Sequence, residues 1–342
     1  MTVLQTLYNK NGVLLGYPDF HVNAVLWRLD DMGEVELSAS YDNPHATKQN
    51  LRPGNRILLE FTNGLRDWGG VLDTPRGRTD AGITIVAYGG RKLIKNRLTG
   101  KNEAYSSTAP GTIVETIIDT ANTTEATGVL MGDVDTSGSQ TRTYHYEPIF
   151  DAIQDLAESG YEYVVMPEVV DGSLSFYLQW YETYGRDLSE SVLLHDGRYG
   201  NVGLSRLDEQ GPIWNKIVVA GKGDWGASHP EATAEDAASI GLYGLREFPT
   251  IQSDIADETT LQEIADALLN NLAWPRSRFQ LTNVANCDPA GYSEYRVGDK
   301  VTLNAFVGKG EWEFNGTVRI LSRKWDNEAK TCTLEVKEWD DE

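Results

Sequence analysis

The sequence predicts a mainly β protein with an α+β insertion, and three observations lead to this fold class. Short segments that alternate apolar and polar residues, bounded by glycine, asparagine, aspartate and proline, fill residues 1–95 and return after residue 200. Between them, two segments repeat apolar residues at helical spacing. The net charge of −21 is uneven, because residues 1–95, 96–200 and 201–342 carry formal charges of +1, −12 and −10.

Residues 1–95 are predicted to form a first β-barrel domain. Several short strands without a helical period are typical of a small barrel or sandwich. The Pro-Gly pair in LRPGNRILLEF predicts a turn before a strand, because proline fixes φ and glycine permits a positive φ. The predicted strands lie in HVNAVLWRLD, GEVELSASY, RILLEFTNG, DWGGVLDTPRG and GITIVAYGG.

This unit ends in GITIVAYGGRKLIKNRL, where Gly89, Gly90 and Arg91 lead into further lysines and arginines. Three interpretations of this stretch are open: a phosphate-binding loop (a phosphate cradle), a basic segment that binds nucleic acid, or a joint between two domains. A phosphate cradle needs spaced glycines at a helix N-terminus, whereas these two are adjacent and no Lys-Ser or Lys-Thr pair follows. Nucleic-acid binding needs a basic patch, which the acidic chain disfavours. We therefore interpret the stretch as a joint.

Residues 96–200 are predicted to form an inserted α+β domain. Apolar residues recur at helical spacing in APGTIVETIIDTAN, with Thr112 as the expected N-cap, and again in EPIFDAIQDLAESG. The segments YEYVVMPE and GSLSFYLQWYE follow as strands.

The stretch TTEATGVLMGDVDTSGSQTRT between the two helices is predicted to be a long surface excursion. The loop from Asp133 to Gly138 opens like a calcium-binding loop, with acidic or hydroxyl side chains at its first, third and fifth positions. The twelfth position, where such loops carry a glutamate, is Tyr144. Whether this loop binds calcium is left open, since the same residues also make ordinary turns.

Residues 201–342 are predicted to form a second β-barrel, with a helical insertion around 230–274. The helix lies in ETTLQEIADALLNNLAWPRS and is stopped by Pro275. The predicted strands lie in NKIVVAGKG, RFQLTNVAN, DKVTLNAFV, EWEFNGTVRILSRKWD and KTCTLEVKEWD.

Several classes of function find no signal in the sequence. No run of 18 apolar residues predicts a membrane span, and the N-terminus lacks the pattern of a signal peptide. Cys287 and Cys332 have no metal-ligand spacing, and the five histidines form no zinc motif. His195 is followed by Asp196, but no GxSxG motif accompanies the pair. We therefore predict no catalytic residue, no metal and no cofactor.

Four patterns, in this order along the chain, resemble the baseplate or tail-tip hub proteins of long-tailed phages and related injection machines, including the late control D type. Each pattern alone is weak, so their order carries the resemblance, which spans about residues 20–340. The patterns are FTNGLRDWGGVLDTPRGRTDAGITIVAYGGRKLIKNRL, YEPIFDAIQDLAESGYEYVV, WNKIVVAG, and SIGLYGLREFPTIQSDIADETTLQEIADALLNNLAWPR followed by YRVGDKVTL.

The resemblance implies a structural virion protein without enzymatic activity, at the distal end of the tail and assembled in the host cytoplasm. In such hubs three copies form a ring, and each copy supplies two tube-like β-barrels that match the hexameric tail tube. The implied partners are the distal tail or tail tube protein, the tape measure protein and tip spike or receptor-binding proteins. Double-stranded DNA passes through without specific binding, and the chain's acidity would discourage it from adhering.

Two further expectations concern particular residues. Tyr243, Gly244 and Arg246 of the YGLR motif are candidates for the subunit interface, with a tight turn docked on its own barrel as the alternative. The second class of function is a cell-wall glycan-binding or glycan-hydrolysing tail-tip protein. In FYLQWYETYGR the alternation places Phe176, Leu178 and Trp180 in the core and leaves two tyrosines, Tyr177 and Tyr181, on the other face for stacking on a sugar.

Overall fold

The computed structural model of the chain describes residues 3–29, 31–73, 77–80, 82–197, 199–210, 213–223, 229–253, 255–288, 290–307 and 312–339. Twenty-two strands and five helices lie in these ranges, so the prediction of a mainly β protein with α+β material is confirmed. No helix in the described ranges is both long enough and apolar enough to cross a membrane.

The first β unit is an antiparallel sheet in the order β2-β1-β5-β6-β8-β4-β3, with β7 paired to β8. Alternate residues point to one side of each strand, and those of β4 and β8 meet in a single apolar core. The strands are β1 (Val3–Tyr8), β2 (Leu14–Gly16), β3 (His21–Arg28), β4 (Glu34–Ala39), β5 (Arg56–Phe61), β6 (Trp68–Leu72), β7 (Gly77–Thr79) and β8 (Gly82–Gly89).

The inserted module packs two helices on a three-stranded sheet of order β10-β13-β12. The sheet residues Phe176 and Trp180 are fully buried against Ile117 and Ile153 of the helices. Tyr8, Leu58 and Val71 of the first β unit belong to the same apolar core. The elements are α1 (Lys92–Lys95), β9 (Glu103–Thr108), α2 (Pro110–Thr124), β10 (Val129–Val134), β11 (Gln140–Tyr144), α3 (Ile149–Ala157), β12 (Glu162–Val170) and β13 (Ser173–Tyr181).

The second β unit has the strand order β15-β19-β22-β21, with β20 on β21 and β14 on β20. Phe279, Leu303 and Ile320 are buried in its apolar core. The strands are β14 (Leu193–His195), β15 (Gly203–Gln210), β19 (Arg276–Thr282), β20 (Lys300–Val307), β21 (Trp312–Asp326) and β22 (Thr331–Glu338).

A small accessory unit lies between β15 and β19, which pair directly with each other. Its α5 helix buries Leu261 and Ile264 against Ile217 and Val219 of a three-stranded sheet of order β17-β16-β18. The elements are β16 (Lys216–Ala220), β17 (Glu231–Glu235), α4 (Ala237–Tyr243), β18 (Glu247–Ile251) and α5 (Glu258–Leu272).

One strand joins the two β units into a single sheet. The first half of β21 pairs with β20, and its last five residues, 322–326, pair with β3 of the first unit. A bulge against β22, between Ile320 and Ser322, marks the change of partner. The division at residues 95 and 200 stays a prediction, and β14, which precedes residue 200, pairs with β20 of the second unit.

Two predictions about the inserted module are wrong. The stretch predicted as a surface excursion contains β10, which pairs parallel to β13, and β11, which pairs with β9. These strands form because distant segments supply their hydrogen-bonding partners, which local composition cannot show. Helix α2 begins at Pro110 with Ala109 as its N-cap, so Thr112 lies inside the first turn. Proline suits that first position, because its missing N–H would have no partner there.

Candidate functional site

Gly89 and Gly90 lie where the first β unit meets the inserted module. Gly89 ends β8, Gly90 follows it, and α1 begins at Lys92. A Cβ on Gly90 would lie 2.5 Å from Phe176 Cδ1 and 2.6 Å from Val165 Cγ1, and a Cβ on Gly89 would clash with the carbonyl oxygen of Met32. Gly90 therefore allows the two units to approach more closely than a side chain would permit, whereas Gly89 makes room for the backbone of Met32 within the first β unit.

Arg91 connects the same two units with its guanidinium group. Its side chain is 5% exposed, and Nη2 donates to the carbonyl oxygens of Leu29 and Tyr163. The guanidinium carbon lies 4.1 Å from the centre of the Tyr163 ring, so the cation also stacks on the aromatic face. Burial raises the pKa of Tyr163, and the charge of Arg91 opposes this shift.

The remaining basic side chains of this stretch are also engaged within the chain. Lys92 Nζ lies 3.2 Å from Asp73 Oδ2, and Arg97 donates to the carbonyl oxygens of Ala121 and Glu125 at 3.0 and 2.9 Å. Arg91 and Arg97 thus each donate to two backbone carbonyl oxygens. The geometry is that of a joint between units.

Two more arginines, which the sequence did not single out, connect distant segments. Arg56 of β5 donates to the carbonyl oxygen of Leu174 at 2.6 Å and lies over the Phe176 ring. Arg319 of β21 holds both carboxylate oxygens of Glu162 on β12 and donates to the carbonyl oxygens of Tyr184 and Gly298. Arg319 is 4% exposed, so it is a buried, bidentate tie between the second β unit and the inserted module.

A pocket of about 90 Å³ opens where the first β unit, the inserted module and the second β unit meet. Gly89, Gly90 and Arg91, which sequence reasoning grouped together, all line it. The other residues come from segments far apart in the chain, including Trp27, Trp68, Pro167, Tyr184 and Val297. Its charged lining residues are Arg28, Arg66, Arg91, Arg296, Arg323, Asp31 and Asp67.

The YGLR motif lies elsewhere, at the end of α4 in the accessory unit. Gly244 has a φ of +76° and ends the helix, its N–H donating to the carbonyl oxygen of Ile240. The buried Asn215 side chain donates to the carbonyl oxygen of Gly244 and accepts from the N–H of Arg246. Tyr243 packs edge-on against Trp274. The motif is thus a tight turn fixed on the accessory unit and not on the barrel strands, and its role in a subunit interface stays a prediction.

The same turn exposes apolar side chains to solvent. Leu242 is 70% exposed, Leu245 is 56% exposed, and Tyr243 is 37% exposed. Exposed large apolar side chains that lie together mark candidate contact surfaces. We refer to residues 242–246 as the α4 tip.

The other predicted positions have local roles. Asp135 Oδ1 accepts the N–H of Ser137, which closes a turn, and no three His, Cys, Asp or Glu side chains converge to hold a metal ion in the described ranges. Phe176, Leu178 and Trp180 are fully buried, as the alternation of β13 predicted, and Tyr177 and Tyr181 lie half-buried on the opposite face. The Tyr181 hydroxyl donates to Gln179 Oε1 at 3.0 Å.

The comparisons with known proteins bear on the fold. No protein-family model matches the sequence, and no curated protein sequence matches it. Many solved structures match, and three of them, all tail proteins, do so over nearly the whole chain. A prophage tail protein, gp18, from Listeria monocytogenes EGD-e has a TM-score of 0.65 at 14% identity, and the match covers 99% of this chain and 95% of that one. The chain has the fold of a phage tail protein.

Two other tail proteins share this fold over nearly the whole length of both chains. The tail protein from Neisseria meningitidis MC58 has a TM-score of 0.62 at 11% identity, with 99% of this chain and 97% of that chain covered. The 43 kDa tail protein of prophage MuSo2 from Shewanella oneidensis has a TM-score of 0.60 at 12% identity, with 97% and 98% covered. In this tail-protein fold, Gly89, Gly90 and Arg91 lie at the joint between two units, and Tyr243, Gly244 and Arg246 lie in the α4 tip.

Proposed function

We propose that the chain is a structural protein of the phage tail tip, a hub that forms a trimeric ring and adapts the hexameric tail tube to the tip. The observation that carries this proposal is the fold, which matches three tail proteins over at least 97% of this chain and 95% of each of theirs.

The sheet that spans both β units supports a ring of three. Because β3 and β21 pair directly, the two units of one chain are held at a fixed angle to each other. Three copies would present six β units, two from each chain, and that number matches a hexameric tube.

The charge of the chain supports passage of DNA without binding. The net charge of −21 repels phosphates, and Arg91, Lys92 and Arg97 are engaged within the chain. The proposal includes the tail tube or distal tail protein, the tape measure protein and the tip spike or receptor-binding proteins as partners.

We further propose that the α4 tip contributes to the contact between subunits. Its support is the exposure of Leu242 and Leu245 beside a turn that Asn215 fixes in place. Leu245→Glu is expected to shift the protein from trimer to monomer in sedimentation velocity without changing its circular dichroism. Val170→Glu, at a residue that is 41% exposed on the inserted module, is the matched control and should leave the trimer intact. An unchanged trimer in Leu245→Glu would remove the α4 tip from the interface.

Immunogold labelling of phage particles that carry this protein tests the proposed function. Gold is expected at the distal end of the tail. Label on the capsid, or particles without label although the protein is present in the lysate, would contradict the proposal.

A further inference from the structure

The pocket between the three units contains more positive than negative groups. Five arginines and two aspartates line it, in a chain whose net charge is −21. Asp31 lies 3.4 Å from Arg28, and the second aspartate, Asp67, accepts the backbone N–H of Phe61. The lining therefore has an excess of cationic donors over anionic acceptors, the reverse of the chain as a whole.

Buried donors on two lining residues, Arg323 and Trp27, lack an acceptor in ordinary hydrogen-bond geometry within the described residues. Arg323 is 3% exposed and donates Nη1 to the carbonyl oxygen of Tyr292. Its Nε and Nη2 make no hydrogen bond of that geometry, although the Tyr295 hydroxyl and the Cys332 thiol lie near the guanidinium. The indole Nε1 of Trp27 is likewise buried without an acceptor there. Burying such donors without partners is costly, above all for a cation.

The aromatic rings around Arg323 offset only part of this cost. Its guanidinium carbon lies 4.3 Å from the centre of the Tyr295 ring and 5.4 Å from that of Tyr292. Such stacking stabilises the charge, but it supplies no acceptor for the N–H groups in the plane of the guanidinium. An oxygen-rich anion would supply acceptors for these N–H groups.

Arg28 and Arg66 provide an entrance to the pocket. Both side chains are exposed, and Arg66 donates Nη1 to the hydroxyl of Tyr184 at 2.9 Å, which holds it against the pocket wall. An anion that enters from solvent would meet these two guanidinium groups first. Arginine is suited to this role, because its planar fork binds two oxygens of a carboxylate or phosphate at once.

We propose that this pocket binds a small oxyanion, a phosphate or a carboxylate group, through Arg28, Arg66 and Arg323. A volume of about 90 Å³ admits a group of a few heavy atoms. Because the lining comes from both β units and the inserted module, the bound anion connects all three. Anion binding by the isolated chain does not depend on whether the chain acts as a tail hub.

Titration of the purified chain with inorganic phosphate tests the proposal, with sodium chloride adjusted to hold the ionic strength constant. Trp27 and Trp68 line the pocket, so tryptophan fluorescence reports on occupancy, and the melting temperature reports on the connection between units. We expect a saturable fluorescence change and a melting temperature that rises with phosphate. A parallel titration with acetate distinguishes the two sources: saturation by acetate identifies a carboxylate site, and saturation by phosphate alone identifies a phosphate site.

Three variants assign the effect to the pocket. Arg66→Ala removes an exposed guanidinium at the entrance, and Arg323→Lys keeps the buried charge while it removes the fork; each is expected to weaken binding about tenfold, the effect of losing one charged hydrogen bond. Arg52→Ala removes an exposed arginine that does not line the pocket and should bind as the wild type does. Phosphate and acetate effects equal to those of chloride, or Arg66→Ala binding like Arg52→Ala, would overturn the proposal.

Discussion

Gly90 and Phe176 touch across the boundary between the first β unit and the inserted module. A Cβ at Gly90 would lie 2.5 Å from Phe176 Cδ1, and the Phe176 side chain is fully buried. Neither residue can move away easily, because Gly90 follows the end of β8 and Phe176 lies within β13. This close approach explains why a glycine occupies the position.

Gly90→Ala is therefore expected to lower the free energy of unfolding by about 1–3 kcal/mol, the usual cost of forcing an extra carbon into a packed core. Urea unfolding followed by tryptophan fluorescence measures it. Gly241→Ala is the control, because a Cβ at that helical glycine meets no atom within 4 Å and alanine favours helix. Equal stability of the two variants would contradict the packing argument.

Arg319→Ala is expected to destabilise the protein by about 3 kcal/mol or more, because it leaves a carboxylate of the inserted module without its partner. The pair is largely buried, with side-chain exposures of 5% for Arg319 and 27% for Glu162. Arg278→Ala is the matched control, since the pair of Arg278 with Glu335 is only half-buried, with side-chain exposures of 33% and 41%, and is expected to contribute less than about 1 kcal/mol to stability. If chemical unfolding gives the same loss of unfolding free energy for both variants, Arg319 does not stabilise the contact between the second β unit and the inserted module.

The stability of the accessory unit is expected to depend on pH through Asp236. This residue is the N-cap of α4, and the backbone N–H of Ser239 holds the pKa of its carboxyl below the ordinary value of 3.8, with Trp274 Nε1 as a further donor. A lowered pKa in the folded state stabilises the protein above the ordinary pKa, and this contribution is lost as the pH falls below it.

Asp236→Ala is accordingly expected to cost about 1 kcal/mol at pH 7, the usual value of an N-cap, and less at pH 3. Urea unfolding of both proteins at the two pH values measures the difference. Asp236→Asn keeps an acceptor oxygen without the charge and should approach the wild type in acid. A cost of Asp236→Ala that grows on acidification would contradict the assigned direction.

The two cysteines are expected to differ in reactivity. Burial raises the pKa of the Cys332 thiol to about 11, whereas Cys287 is exposed. Because the thiolate is the reactive form, iodoacetamide at pH 8 should modify one cysteine in the native protein and two in guanidinium chloride. Peptide mass spectrometry identifies the site. Modification of Cys332 in the native protein at the rate of Cys287 would show that β22 is not buried as described.

Local patterns predicted much of the fold, and particular residues show where they fail. Helix α5 and the alternation of Phe176, Leu178 and Trp180 in β13 follow from apolar spacing alone, because each element buries one face. Strand β10 was predicted as a surface excursion, because its partner β13 lies more than forty residues away in the chain. Pairing between distant segments overrides local composition in such strands.

The candidate site was predictable only in part for the same reason. The adjacent glycines and Arg91 indicated a joint, since their spacing fits no phosphate cradle. The pocket at that joint depends on Arg66 and Arg323, which approach it from the segments around β6 and from β21. No spacing along the chain places these side chains together, so the excess of donors could be recognised only from the three-dimensional structure.

The central claim is that the chain is a hub that assembles as a threefold ring. Negative-stain electron microscopy of the purified protein over a concentration series, alone and mixed with the tail tube protein of the same phage, tests it most directly. Rings with threefold symmetry and an open centre are expected in class averages. Compact monomers at every concentration, both alone and in the mixture, would contradict it.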